Sequence, residues 1–398
     1  MTEVRDLVAW EAGGEEVAAR AVLAWLQTDG IRHRETLPFV EALAQQLIVT
    51  GIDLMRMTTG VHILHPQIDA LSCLWQRGKP SIERRFKMDR AVIQNSPMAA
   101  VYGGRPVRKR LNGSPENGEF PIFADLRKDG ATDYLALPLP FSDGLWQAVT
   151  FVTAHPGGFS EGQVAFLESL VPALATILEI QTLRRTTLTL LDTYVGPTAG
   201  RRVLEGAIKR GMCEPIQAVI WSSDLRGFTE LSERLPGEEL LQLLNDYFGV
   251  MTEAVGRHGG EVLKFIGDGL LAIFPLLTDG DSAVAERALV AAQEAQAGIR
   301  ARNDERSRAG APLIRFGLAL HIGEVLYGNI GGEGRLDFTV IGPAVNLTSR
   351  IESLCRTLDR PILFSGDFAA VCDTILEPLG CFQLKGIETG HLVFGIRD

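Results

Sequence analysis

Ala218-Val219-Ile220-Trp221-Ser222-Ser223-Asp224-Leu225-Arg226-Gly227-Phe228-Thr229 opens on an unbroken apolar run and closes on an acid, a glycine and a hydroxyl. An apolar run bounded by such punctuation reads as a buried strand, here Gln217 to Ser222, that ends in a turn. A second acid lies in Phe265-Ile266-Gly267-Asp268-Gly269-Leu270, an Asp-Gly turn between two apolar strand halves, so Glu261 to Phe274 reads as a hairpin. Helices are expected at Gly237 to Arg257, at Ala-rich Asp281 to Asn303 and at Val345 to Cys355, with strands at Leu313 to His321, Pro361 to Ser365 and Cys381 to Leu384. From about Ile216 to Asp398 the order is βαββαβ-like. It implies an α/β (α+β) fold of the ferredoxin-like sandwich type.

Upstream, helical spacing at Glu15–Leu26 and Leu37–Ile48 precedes β-rich stretches at Val61–Leu64, Leu71–Trp75, Asp133–Pro140 and Trp146–Thr153. Phe141-Ser142-Asp143-Gly144 joins the last two as a hairpin, and Ser160 is the N-cap of a closing helix. This order resembles a GAF-type sensory domain. Cys73 with His62 and His65 reads as strand packing rather than a metal site. Between the two regions, Ile180, Leu183, Thr187, Leu190 and Tyr194 are spaced 3, 4, 3 and 4, with Arg184 and Arg185 flanking them. That seam fits a short parallel coiled coil or an amphipathic helix packed on its own domain. Gly196-Pro197 breaks it, and Ala199 to Lys209 reads as another short helix.

The 398 residues fit two or three domains, and 46% apolar with 22% charged residues is a globular composition. A net charge of −10 argues against a protein that grips nucleic acid through phosphates. The five cysteines, Cys73, Cys213, Cys355, Cys372 and Cys381, include no C-x-x-C pair, so neither a disulfide framework nor a zinc site is indicated. Met1 to Glu16 lacks the apolar core of a secretory signal, and Ala165 to Ile180 is interrupted by Glu168, Pro172 and Glu179. A cytoplasmic protein without a membrane span is expected.

The chemistry starts with Asp224 and Asp268. Each has a bland reading, a helix cap and a turn residue, but together they end neighbouring strands on one edge of the sheet. Paired carboxylates there suit divalent cations of the Mg²⁺ kind, which combine few carboxylates with phosphate oxygens. Gly227, before Phe228 and Thr229, supplies a turn whose backbone amides can approach phosphates. Asn346 and Arg350 stand four apart on a predicted helix, an amide for a sugar and a fixed cation for a phosphate, or else a surface polar pair.

In order along the chain stand Ser223 to Thr229, Leu263 to Gly269, His321-Ile322-Gly323 through Gly328 to Gly331, Phe338 to Arg350, and Leu384-Lys385-Gly386. With these motifs the third region resembles a class III adenylate/guanylate cyclase. The resemblance implies that Asp224, Leu225 and Asp268 hold two Mg²⁺ or Mn²⁺ per site, and that Lys264 and Thr339 read the base. It also implies that Asn346 orients the ribose, Arg350 stabilises the transition state, and Lys385 holds the triphosphate, with Gly227, Phe228 and Thr229 at the phosphates. In that family the site forms between two catalytic domains. This chain carries both residue sets, so a homodimer could build two sites, which favours the coiled-coil reading of the connector.

Threonine at position 339, where many relatives have aspartate, marks the threonine-type adenylate cyclase subgroup, while Ser222 stands where an aromatic residue is common. Lys264 donates and Thr339 can accept, which matches adenine's N1 acceptor and N6 donor. Guanine presents the reverse pattern. The expected activity is therefore conversion of ATP to 3′,5′-cyclic AMP and pyrophosphate. A guanylate cyclase and a non-catalytic nucleotide-sensing module are the alternatives. Expected boundaries are 1–178 for a GAF-like regulatory domain taking an unknown small-molecule or protein signal, 179–212 for the connector and 213–398 for the catalytic domain. His258 and His321 are expected to be structural.

Overall fold

A computed structural model describes residues 14–206, 209, 211–276, 280–387 and 389–397. The chain divides between Thr189 and Leu190 into two compact units.

In the first unit, α1 (Gly14–Thr28) and α2 (Thr36–Val49) precede β1 (Leu54–His62), β2 (Ala70–Gln76) and β3 (Lys79–Phe86). Then follow α3 (Arg90–Gln94), α4 (Met98–Val101), β4 (Val107–Arg110), α5 (Pro121–Lys128), β5 (Asp133–Pro140), β6 (Trp146–Thr153), α6 (Glu161–Ser169) and α7 (Val171–Tyr194). The antiparallel sheet has the order β3-β2-β1-β6-β5-β4. Phe39, Leu43 and Leu47 of α2 pack with Trp75, Phe151, Phe166 and Leu174 on one face, while Val101, Phe123 and Leu126 cover Tyr134 and Val152 on the other. Ser160 closes a capping box with Gln163: its hydroxyl accepts the Gln163 N–H at 3.1 Å, and Gln163 Oε1 accepts the Ser160 N–H at 3.0 Å.

The expected single closing helix is two, because Pro172 has no N–H with which to continue α6. Among the described residues no single helix is long and apolar enough to cross a membrane. Taken together the bent pair α6–α7 would be, but its Val164, Phe166, Leu167, Leu174, Ile177 and Leu178 are buried in the core. On α7, Ile180, Leu183, Thr187 and Tyr194 are exposed and Leu190 is half-buried.

The second unit continues with α8 (Pro197–Leu204), β7 (Cys213–Leu225), α9 (Phe228–Arg234), α10 (Gly237–Arg257), β8 (Glu261–Ile266), β9 (Gly269–Pro275) and α11 (Asp281–Arg308). It ends with β10 (Phe316–Gly331), β11 (Leu336–Ile341), α12 (Pro343–Thr357), β12 (Ile362–Ser365), α13 (Gly366–Val371), β13 (Glu377–Gln383) and β14 (Gly390–Gly395). Its sheet runs β13-β14-β12-β10-β7-β9-β8, with β11 added to the far half of β10. The run β7-α10-β8-β9-α11-β10 is βαββαβ, and its strands lie in the order fourth, first, third, second. Short side chains let α11 approach α10: a Cβ on Gly298 would come within 2.7 Å of Val250. These two helices cover Trp221, Phe274 and Leu318 on one face, while α12 and the β10–β11 arm cover the other.

Other elements also differ from expectation: the strand expected at Val61–Leu64 is the end of β1, and the one expected at Cys381–Leu384 begins at Glu377. The short helix of the connector begins at Pro197 and ends at Leu204, while positions 207 and 208 lie outside the described residues. The strand expected at Leu313–His321 runs instead from Phe316 through sixteen residues. It pairs with β7 as far as Gly328↔Cys213.

Candidate active site

Asp224 is the last residue but one of β7, and Asp268 occupies the two-residue turn between β8 and β9. Gly267 begins that turn with φ +63°, the left-handed conformation that a glycine adopts without a Cβ penalty. β9 lies between β7 and β8, so the turn delivers Asp268 to the end of β7, where the two carboxyl groups are in hydrogen-bonding contact. Asp224 Oδ1 also accepts the Leu225 N–H at 3.1 Å. Burial first, then the charge of Asp268, pushes the Asp224 carboxyl up to about 6.

A third acid, Glu352 on α12, stands nearby. Gly317 is the register partner of Asp224, and a Cβ on it would collide with Glu352 Oε1. Burial, followed by the Asp224 charge, pushes Glu352 up to about 7, against the pull of Arg226. The Asp224–Asp268 pair offers hard carboxylate oxygens of the kind that Mg²⁺ or Mn²⁺ takes, while among the described residues no group of three acids is close enough to hold an ion together. Sequence reasoning had not singled out Glu352.

The strand end is held from both sides. Ser223 accepts from Trp221 Nε1 at 3.2 Å and from the Tyr247 hydroxyl at 3.0 Å. Arg226, in the same motif, braces the far end of α12: its Nη2 donates to the carbonyls of Cys355, at 2.7 Å, and Arg360, and its Nη1 lies 3.6 Å from Asp359. It ties β7 to the helix that carries Asn346 and Arg350. Gly227, φ +75°, N-caps α9, which begins with Phe228 and Thr229.

Lys264 reaches the same side of the sheet as Asp224 through a register shift between Val262 and Lys264. It sits opposite Leu271, Leu271 sits opposite Ser222, and Asp224 follows two residues on. Its ammonium lies 3.9 Å from Asp337, a partly exposed and loose pairing. Two residues further along β11, Thr339 is 4% exposed and its hydroxyl has no hydrogen-bond partner. Asn346 and Arg350 lie four apart and exposed on α12, and Lys385 is exposed on the turn after β13.

The structure thus joins Asp224 with Asp268, and brings Lys264 to Asp337 on the strand of Thr339. It keeps Lys385 apart from the acids: β13 and β9 stand five strand spacings apart, on the order of 20–25 Å. Neither nearby histidine is free. His258 Nε2 pairs with Glu294 at 2.8 Å, and His321 Nδ1 with Ser365 Oγ at 2.8 Å.

Residues 214–388, which hold most of this sheet and all of these residues, match the family described as adenylate and guanylate cyclase catalytic domain. Two curated relatives are an adenylate cyclase of Anabaena cylindrica, 34% identical over 195 residues, and adenylate cyclase 1 of Rhizobium meliloti (strain 1021), 31% identical over 176. The matches cover 47% and 44% of this chain but only 36% and 26% of those proteins. Among solved structures, the guanylyl cyclase Cya2 is 33% identical, with a TM-score of 0.42 over 47% of this chain and 95% of that one. The C-terminal unit carries a cyclase catalytic domain.

Proposed function

We propose that the chain is an adenylate cyclase that converts ATP to 3′,5′-cyclic AMP and pyrophosphate at sites shared across a homodimer. The observation that carries the reading is the contact between Asp224 and Asp268 at the end of β7, two acids whose like charges disfavour each other and which bound cations would offset. They would hold the metal pair, with Leu225 beside them. Bound there, the cations lower the pKa of the ribose 3′-hydroxyl and neutralise phosphate charge.

The chain's own groups do the rest. Asn346 holds the ribose so that its 3′-oxygen lies in line with the α-phosphorus, and Arg350 meets the charge that grows on the α-phosphoryl oxygens. Lys385 neutralises the β- and γ-phosphates that depart as pyrophosphate, and Gly227, Phe228 and Thr229 turn backbone amides toward the phosphates. Lys264 donates to adenine N1 and Thr339 accepts from N6. The unpartnered Thr339 hydroxyl supports that assignment, since a buried polar group without a partner costs about 1–3 kcal/mol until a ligand supplies one.

The separation of Lys385 from Asp268 supports sharing between subunits, as do the exposed apolar residues Phe265 and Ile266 beside the acidic turn and Leu326, Leu336 and Ile341 on the β10–β11 arm. We assign residues 1–178 to a GAF-like regulatory domain, 179–212 to a connector whose exposed seam pairs with a second copy, and 213–398 to catalysis.

Incubating the full chain with ATP and Mn²⁺ and measuring cyclic AMP tests the reading, with GTP as competitor. Asp224→Ala and Asp268→Ala should each reduce product to background while the circular dichroism spectrum is unchanged. ATP binding without product would mean a nucleotide-sensing module. Preferential turnover of GTP would mean a guanylate cyclase.

A further inference from the structure

The N-terminus of α8 is capped by a residue from a distant strand. Its N-cap is Gly196, φ +97°, which has no side chain to offer the first amides of the helix. The acceptor is Glu261, the first residue of β8, whose Oε1 takes the Ala199 N–H at 3.3 Å and whose carboxylate also takes the Thr198 side chain. Its other oxygen accepts the Tyr327 hydroxyl of β10 at 2.8 Å. One carboxylate, 6% exposed, therefore ties together the short helix, the edge strand and the β10–β11 arm.

Other contacts converge on the same joint. The Arg202 guanidinium, on the next turn of α8, lies 5.0 Å from the centre of the Tyr327 ring and 6.0 Å from that of Phe338. Those rings meet edge to face at 4.8 Å. Ala199 is buried against Leu263, Tyr327 and Phe338, whose chain neighbours include Lys264 and Thr339. The turn Tyr194–Pro197 borders a cavity of about 560 Å³ that Lys264 and Asp337 also line, so packing alone does not hold the helix end. Burying a carboxylate is costly, and here the cost is offset by a helix terminus and a hydroxyl that have no other acceptor among the described residues.

We propose that Glu261 is a positioning residue through which the seating of α8 sets the distance between Lys264 and Thr339, and so how selectively the base is read. The inference rests on the base-reading roles assigned above. It gives a shift or rotation of α8 a route to nucleotide choice through two strands.

The test uses the full chain. In Glu261→Gln an amide nitrogen replaces one acceptor oxygen, and in Tyr327→Phe only the arm's hydroxyl is lost. Each should lower the ATP-over-GTP ratio of kcat/KM about five- to tenfold, mostly through KM for ATP, the worth of one ordinary hydrogen bond, since the joint acts on the base only through Lys264 and Thr339. The double variant should be no worse than the worse single one, because both break the same joint. Amide hydrogen exchange should quicken over 197–204 and over 336–341 in both variants. Lys264→Ala is the control.

If Lys264→Ala lowers the ratio and both joint variants leave it unchanged, the positioning role is overturned while base reading stands. If Lys264→Ala leaves the ratio unchanged, the base-reading assignment falls and the proposal with it. If Glu261→Gln does not fold, Tyr327→Phe decides on the same readouts.

Discussion

Arg350 is an exposed cation one helical turn beyond Asn346, and among the described residues no acid pairs with it. A guanidinium with nothing to neutralise in the resting protein is suited to charge that appears only during reaction. Arg350→Ala should therefore lower kcat about 10²–10³-fold and change KM for ATP little, as steady-state kinetics would register. The base pair of residues permits a second test. Lys264→Glu with Thr339→Cys puts an acceptor where guanine's N1–H donates, and should shift preference toward GTP tenfold or more, roughly the worth of one mismatched buried polar group. Asp224 and Asp268 were legible in the sequence because each sits between apolar strand residues and a glycine turn. Glu352 and Glu261 were not. Their meaning comes from a register partner, Gly317 opposite Asp224, and from a helix end that only the folded chain brings to β8. Arg226 sits in the same motif as Asp224, yet it braces α12.

Elements marked by an unbroken apolar run or a clear helical stripe were legible to within a few residues, as β5, β6, α10 and the β8–β9 hairpin show. β3 was not, because Lys79-Pro80-Ser81-Ile82-Glu83-Arg84-Arg85-Phe86 is a charged, mostly exposed edge strand without an apolar run. β10 reads short because Gly323, Glu324, Gly328 and Asn329 break its apolar pattern, although thirteen of its residues pair with β7. At the junction of β10 and α13, His321 accounts for its own burial. It packs against Ser365, the N-cap whose hydroxyl accepts the Phe368 N–H, with Asp367 at 3.7 Å. Burial pushes the imidazole down to about 4, against the opposing pull of Asp367 and with a smaller contribution from His391 in the same direction. In the unfolded chain the histidine takes up a proton near its ordinary 6.5, so between those values the unfolded state binds more protons. Stability is then complete above pH 6.5 and falls as pH drops toward 4, by up to about 3 kcal/mol from this group. Thermal unfolding of the full chain from pH 7.5 to 4.5, beside His321→Gln, should show a steeper acid loss for the native protein. Parallel curves would mean that the imidazole takes up its proton at the same pH in the folded and unfolded chain.

At the scale of the whole molecule the question is how many chains make one site. The sheet order sets β13, after which Lys385 stands, five spacings from β9 and the acidic turn, on the order of 20–25 Å. In the proposed dimer, a nucleotide held by the acids of one copy would meet Lys385 of the second copy, and with it the second copy's Asn346 and Arg350. In a twofold dimer each copy then lends acids to one site and cations to the other, so two sites form, each using half of each chain. This arithmetic can be tested with two dead proteins. Asp224→Ala and Arg350→Ala should each be inactive alone. In a mixed dimer both lesions fall on one site and the other is assembled from intact halves. Random reassortment puts half of the dimers in that state, each with one of two sites working, so activity should recover to about a quarter of the native level. Differently tagged copies, purified through both tags to prove that mixed dimers formed, should reach about half. Mixed dimers isolated in this way that stay as inactive as their parents would show that each chain builds its site from its own residues.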